Sequence, residues 1–66
     1  MTIILNGEPA AFEGSVADLV ERRLGDRCRG GVAVAVNGGV VPRGSWEAHR
    51  LAPGDRVEIV TAVQGG

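Results

Sequence analysis

The chain has 66 residues, seven of them Arg and eight Asp or Glu, with one cysteine and one histidine and a net charge of −1. A domain of this size buries only about 60% of its unfolded surface, and its lone cysteine and histidine supply neither an internal disulfide nor a structural zinc set. Its balanced charge, with no basic stripe, argues against a nucleic-acid or anionic-membrane surface.

Stability must come from the apolar residues, which make up 44% of the chain. Lysine is absent, which removes a P-loop lysine, a Schiff-base lysine and a lysine general base. Residues 1–6 have neither a basic lead-in nor a long apolar core, and no stretch approaches the ~18 apolar residues of a membrane span. A cytoplasmic protein is expected.

Ile3-Ile4-Leu5 reads as a first strand closed by Asn6-Gly7, a strong hairpin signal. Ala10 to Glu13 is the returning strand, with Pro9 at its start, where a missing N–H donor is tolerated. Ser15 then opens a helix, with Asp18 three residues on completing a capping-box pattern. Val16, Leu19, Val20 and Leu24 share one helical face, and Gly25 ends the helix in the left-handed region. Residues 26–31 form a polar loop.

Val32 to Val36 is apolar on both faces, as expected of a strand inside a sheet. Asn37-Gly38-Gly39 turns the chain, and Val40-Val41 returns as a short strand stopped by Pro42. Arg43 to Leu51 is irregular, with one helical turn around Trp46. Ala52-Pro53-Gly54-Asp55 has its Pro and Gly placed for a type II turn, and Arg56 to Val63 is the last strand.

A hairpin, one helix and further strands make residues 1–66 a single α+β domain. One helix covers only one face of a mixed sheet of four to five strands, so the other face stays open. This is the β-grasp, or ubiquitin-like, arrangement; that fold places the first and last strands parallel at the sheet centre. By alternation, Ile3, Leu5, Val57, Ile59 and Val63 lie on one side, and Ile4, Val60 and Ala62 on the other. If the first set meets the helix, Ile4, Val60 and Ala62 form an apolar patch facing solvent. Single exposed apolar residues are ordinary, but a contiguous patch beside the chain end is a candidate partner surface.

The end itself, Gln64-Gly65-Gly66, extends roughly 10 Å beyond the strand at about 3.3–3.6 Å per residue. Glycine has no Cβ, so this tail fits a channel too narrow for a side chain. Its α-carboxylate, with a pKa of ~3.5, is ionised and is a poor electrophile until activated. A frayed terminus is the ordinary alternative.

No other group assembles a catalytic centre. Cys28 lies between Arg27 and Arg29, which favours its thiolate, yet it lacks a partner base and reads as an incidental loop residue. His49 lacks a second ligand and reads as packing or capping. Trp46 reads as packing at a sheet margin, and Arg43 is either solvated or paired with an acidic partner.

Val36-Asn37-Gly38, Val41-Pro42-Arg43-x-x-Trp46, His49 and Pro53-Gly54-Asp55-x-Val57-Glu58-Ile59-Val60-x-Ala62-Val63-x-Gly65-Gly66 closely resemble the small sulfur-carrier proteins of bacterial thiamine (thiazole) biosynthesis. The match spans essentially the whole chain. The resemblance implies a protein co-substrate, not a catalyst, with no bound cofactor or metal and a monomeric free state. It implies that an E1-like, zinc-bearing adenylyltransferase activates the Gly66 carboxylate with ATP and magnesium. A cysteine desulfurase or other persulfide donor then supplies sulfur for a thiocarboxylate, and thiazole synthase consumes it. Three other readings stay open: a molybdopterin-synthase small subunit, a ubiquitin-like protein modifier, and a β-grasp binding module with an idle tail.

Overall fold

The computed structural model describes residues 1–25 and 31–61. Its elements are β1 (Thr2–Leu5), β2 (Glu8–Ala11), α1 (Val16–Leu24), β3 (Val32–Val36), β4 (Gly39–Val40) and β5 (Arg56–Thr61), with a 3₁₀ turn at Arg43–Ser45 before β5. The strands form one sheet in the order β2-β1-β5-β3-β4. β1 and β5 are parallel, while β2 on β1, β3 on β5 and β4 on β3 are antiparallel. The expected central parallel pair of the β-grasp is therefore present.

Both Asn-Gly pairs form two-residue turns with positive φ at each position: Asn6 49° and Gly7 85°, Asn37 52° and Gly38 87°. Such turns match the twist of the strands they join. The first turn also corrects the expected start of the second strand. With only two loop residues, Glu8 lies opposite Leu5 and Pro9 opposite Ile4, so β2 covers Glu8–Ala11 instead of starting at Ala10. Ile4 turns its N–H inward to the Asp55 carbonyl at 2.9 Å, so Pro9, opposite it on the edge strand, needs no donor. In the second hairpin, β4 likewise begins one residue earlier than expected, at Gly39.

Every N–H at the start of α1 has a partner. The Asp18 N–H donates to Ser15 Oγ at 3.1 Å, and the Ser15 N–H donates back to Asp18 Oδ2 at 3.2 Å, the reciprocal pattern read from the sequence. Val16 donates to the His49 carbonyl at 2.9 Å, Ala17 to that of Trp46 at 3.1 Å and Leu19 to that of Ser15 at 3.0 Å. With its donors consumed internally, this helix end offers no anion site. At the other end Gly25 has φ 56° and ψ −127°. The expected positive φ is there, but ψ departs from the left-handed helical value of about +47°.

Val16, Leu19 and Val20 of α1 pack on Ile3, Leu5, Val34, Val57 and Ile59 of the sheet, and Phe12, Val41, Trp46 and Leu51 close the margins. Leu24 completes the helical face but is only partly buried. Each fully buried Val, Leu or Ile contributes roughly 1.5–3 kcal/mol, which is how so short a chain holds together without a staple.

Candidate functional site

β5 carries the chain toward its terminus, and its start is held by the two flanking turns. The Pro53-Gly54 turn has the expected form, with φ 82° at Gly54 and the Asp55 N–H donating to the Ala52 carbonyl at 3.1 Å. Asp55 Oδ2 accepts from the Ala52 N–H at 2.8 Å and its Oδ1 from the Asn37 amide at 3.1 Å. Both donors favour the ionised carboxylate, and they hold its pKa below the ordinary aspartate value, the backbone bond first. Asp18 is lowered for the same reason, by its bonds to Ser15.

Along β5, Val57 and Ile59 point into the core, at 1% and 9% exposure, so Arg56, Glu58 and Val60 share the open face. This is the alternation expected from the sequence. Ile4 belongs to that open face and is half-buried, and Val60 is 61% exposed. The register separates the two: Ile4 lies beside Arg56, four residues before Val60, or about 13 Å along the strand. Between them stand Arg56 and Glu58, which with Ile4, Gly7 and Val57 line a shallow hollow. The expected contiguous patch through Ile4 and Val60 is therefore interrupted by charge.

The apolar neighbours of Val60 lie on its other side. Ala33 pairs with Val60, Ala35 with Glu58, and Val40 with Ala35, and paired residues share a face. Val40 is 76% exposed. Val60, Ala33, Ala35 and Val40 thus make an apolar strip across β5, β3 and β4, and only Val60 of these was singled out from the sequence. The signal was available in Ala33-x-Ala35, but it needed the strand order to be read. Ala62, Gln64, Gly65 and Gly66, like Cys28, lie outside the described residues.

Trp46 is buried at the sheet margin, where its indole N–H donates to the Val41 carbonyl at 2.8 Å. The Arg43 guanidinium sits over its ring, 4.9 Å from the centroid. His49 contributes its carbonyl to the helix start, a capping contact made by backbone. Among the described residues no group of three His, Cys, Asp or Glu could hold a metal ion. No helix among them is long and apolar enough to cross a membrane.

The ThiS family model matches residues 3–66. The chain belongs to the ThiS family. It is similar to the sulfur carrier protein ThiS of Escherichia coli (strain K12), with 31% identity over 68 residues and full coverage of both chains. It also resembles the crystal structure of thiamine biosynthesis protein ThiS from Geobacter metallireducens, at TM-score 0.82 and 27% identity with both chains fully covered. A solution NMR structure of a thiamine biosynthesis protein from that organism superposes at TM-score 0.80 and 28% identity, covering 100% of this chain and 88% of the other. Membership of the ThiS family makes this chain a sulfur carrier of thiamine biosynthesis, a carrier and not a catalyst.

Proposed function

We propose that sulfur is carried on the carboxylate of Gly66. The observation that carries this reading is the position of β5, a central strand paired through Thr61, five residues before the Gly65-Gly66 end of a chain matched to the ThiS family over residues 3–66. Five residues span at most ~17 Å, long enough to take Gly66 into a partner's interior while the domain stays outside. An E1-like adenylyltransferase joins the carboxylate to the AMP moiety of ATP, releasing pyrophosphate. The terminal sulfur of a persulfide, on a cysteine desulfurase or another donor, attacks the carbonyl, and AMP leaves with one carboxylate oxygen. A second thiol attacks the donor cysteine's sulfur in the resulting acyl disulfide, forming a disulfide with it and releasing the thiocarboxylate for thiazole synthase.

ATP and the sulfur donor belong to the partners, and the free carrier is a cytoplasmic monomer. Gln64 and Gly65 enter the partner's channel with Gly66. Val60, with Ala62 beyond it, joins Ala33, Ala35 and Val40 as the apolar docking strip, and Ile4 lies at the rim of that face, beyond the charged side chains of Arg56 and Glu58.

The test is the intact mass of the chain after incubation with ATP, its cognate adenylyltransferase and a persulfide donor. Exchange of one oxygen for sulfur is expected, and deletion of Gly66 should abolish it while leaving the circular dichroism spectrum unchanged. An unaltered mass with an active enzyme, or sulfur acceptance by the shortened chain, refutes the reading. Stable amide adducts on other proteins would favour a protein modifier instead.

A further inference from the structure

β1 runs out before β5 does. Their pairing covers Ile4↔Arg56 and Leu5↔Val57, and the Asn6 N–H adds a bond to the Val57 carbonyl at 2.8 Å. There the chain turns away into Gly7, while β5 continues to Thr61. On its other side β5 is paired to the last residue, Val32 opposite Thr61. Without a substitute, the β1 side of β5 would present a bare edge from Ile59 onward.

The Asn6 side chain is that substitute. The Ile59 N–H donates to Asn6 Oδ1 at 2.9 Å, and Asn6 Nδ2 donates to the Ile59 carbonyl across a longer 3.4 Å. A carboxamide offers the same donor and acceptor as a peptide unit, so it serves as one more residue of β1. The contact joins positions 53 apart in the chain and depends on φ 49° at Asn6, a conformation asparagine tolerates better than other side chains. Asn37 makes the corresponding clamp at the opposite end of β5. Its Oδ1 accepts from the Arg56 N–H at 3.0 Å, and its own N–H donates to the Arg56 carbonyl at 2.7 Å.

We propose that Asn6 is a positioning residue for the reacting terminus: by sealing Ile59, it aims the strand exit from which Gly66 reaches the activating enzyme. This rests on the carrier reading above. Ile59 is seven residues from Gly66, and freedom at the base of a tether spreads the positions of its tip. Ordering the base beforehand raises the fraction of bound complexes in which the tip sits in a reactive geometry. The Asn37 clamp lies three residues earlier, at Arg56, and serves the strand's start.

The test compares Asn6→Gly with Asn37→Gly, since glycine keeps the positive-φ turn in each case. Adenylation by the cognate enzyme is followed by pyrophosphate release at saturating carrier, well below the melting temperature of every variant. A purely structural loss lowers the folded fraction and so raises the apparent KM at unchanged kcat. Positioning predicts that Asn6→Gly lowers kcat about fivefold, equivalent to ~1 kcal/mol at 1.4 kcal/mol per factor of ten. Asn37→Gly should stay within about twofold of the parent, a difference worth only ~0.4 kcal/mol on that scale. Asn6→Asp keeps the acceptor for the Ile59 N–H and should recover part of the loss. Wild-type kcat in Asn6→Gly, or an equal fall in Asn37→Gly, overturns the proposal and leaves the carrier reading standing. A parent chain that an active enzyme does not adenylate overturns both.

Discussion

The Trp46 indole N–H and the Val41 carbonyl meet at 2.8 Å beneath the sheet margin, and this bond ties the loop after β4 to the core. The same loop presents the Trp46 and His49 carbonyls to the first N–H groups of α1, so the tryptophan holds the helix start at second hand. Trp46→Phe strands the Val41 oxygen and is expected to destabilise by about 1–3 kcal/mol, before any loss of packing. At ~4–8 °C per kcal/mol for a chain this short, the melting temperature falls measurably. Far-UV circular dichroism is the right probe, because the chain has no other tryptophan.

Gly14 lies where a side chain cannot go. Its φ is 146°, and a Cβ there would meet Asp18 Oδ2 at 3.0 Å and Phe12 Cζ at 3.2 Å. Gly14→Ala should therefore disturb the capping box as well as the backbone, destabilising by roughly 1–3 kcal/mol. Ser15→Ala, which removes only the cap hydroxyl, should cost about 1 kcal/mol. Urea denaturation checks both: the midpoint should fall with the slope unchanged. A Gly14→Ala protein as stable as the parent contradicts this geometry.

Acid should weaken the fold through two carboxylates. Asp18 and Asp55 both titrate below their ordinary value in the folded chain, because backbone N–H groups bond their ionised forms. The unfolded chain takes up those protons at about pH 3.9. The stabilisation they give is thus full above that pH and is lost as pH falls through the lower folded-state values. Urea midpoints measured from about pH 5 downward should decline, and Asp18→Asn and Asp55→Asn should each flatten the decline. An unchanged acid limb in both variants would remove these two residues from the account.

The apolar strip makes a separate prediction. Val60→Asp and Val40→Asp change exposed side chains, so stability should stay within about 0.5 kcal/mol of the parent. Affinity for the adenylyltransferase, measured by calorimetry, should fall at least about tenfold for Val60→Asp if the strip docks as proposed. Undiminished affinity in both variants would place the docking surface elsewhere.

Much of the fold was legible residue by residue. Asn6-Gly7, Asn37-Gly38 and Pro53-Gly54 announced their turns because φ > 0 suits few residues, and Ser15 with Asp18 announced a helix start because three-residue spacing brings the two groups together. The candidate site was legible in part. Val60 was correctly placed on the open face by alternation, but its neighbours were misjudged, because Ile4 looked adjacent only while the offset between β1 and β5 was unknown. Ala33, Ala35 and Val40 join Val60 only through the strand order β5-β3-β4, which local alternation does not give.

The amino-acid sequence by itself determined the turns, the capped helix, the inward set Ile3, Leu5, Val57 and Ile59, and the glycine-ended tail. Each depends on groups within about four residues of one another or on strict two-residue alternation. The tertiary structure alone decided that Val60 sits with Ala33 and that Asn6 seals Ile59. Those pairings join strands far apart in the chain, and their register is set by packing the whole core at once, which no local pattern encodes.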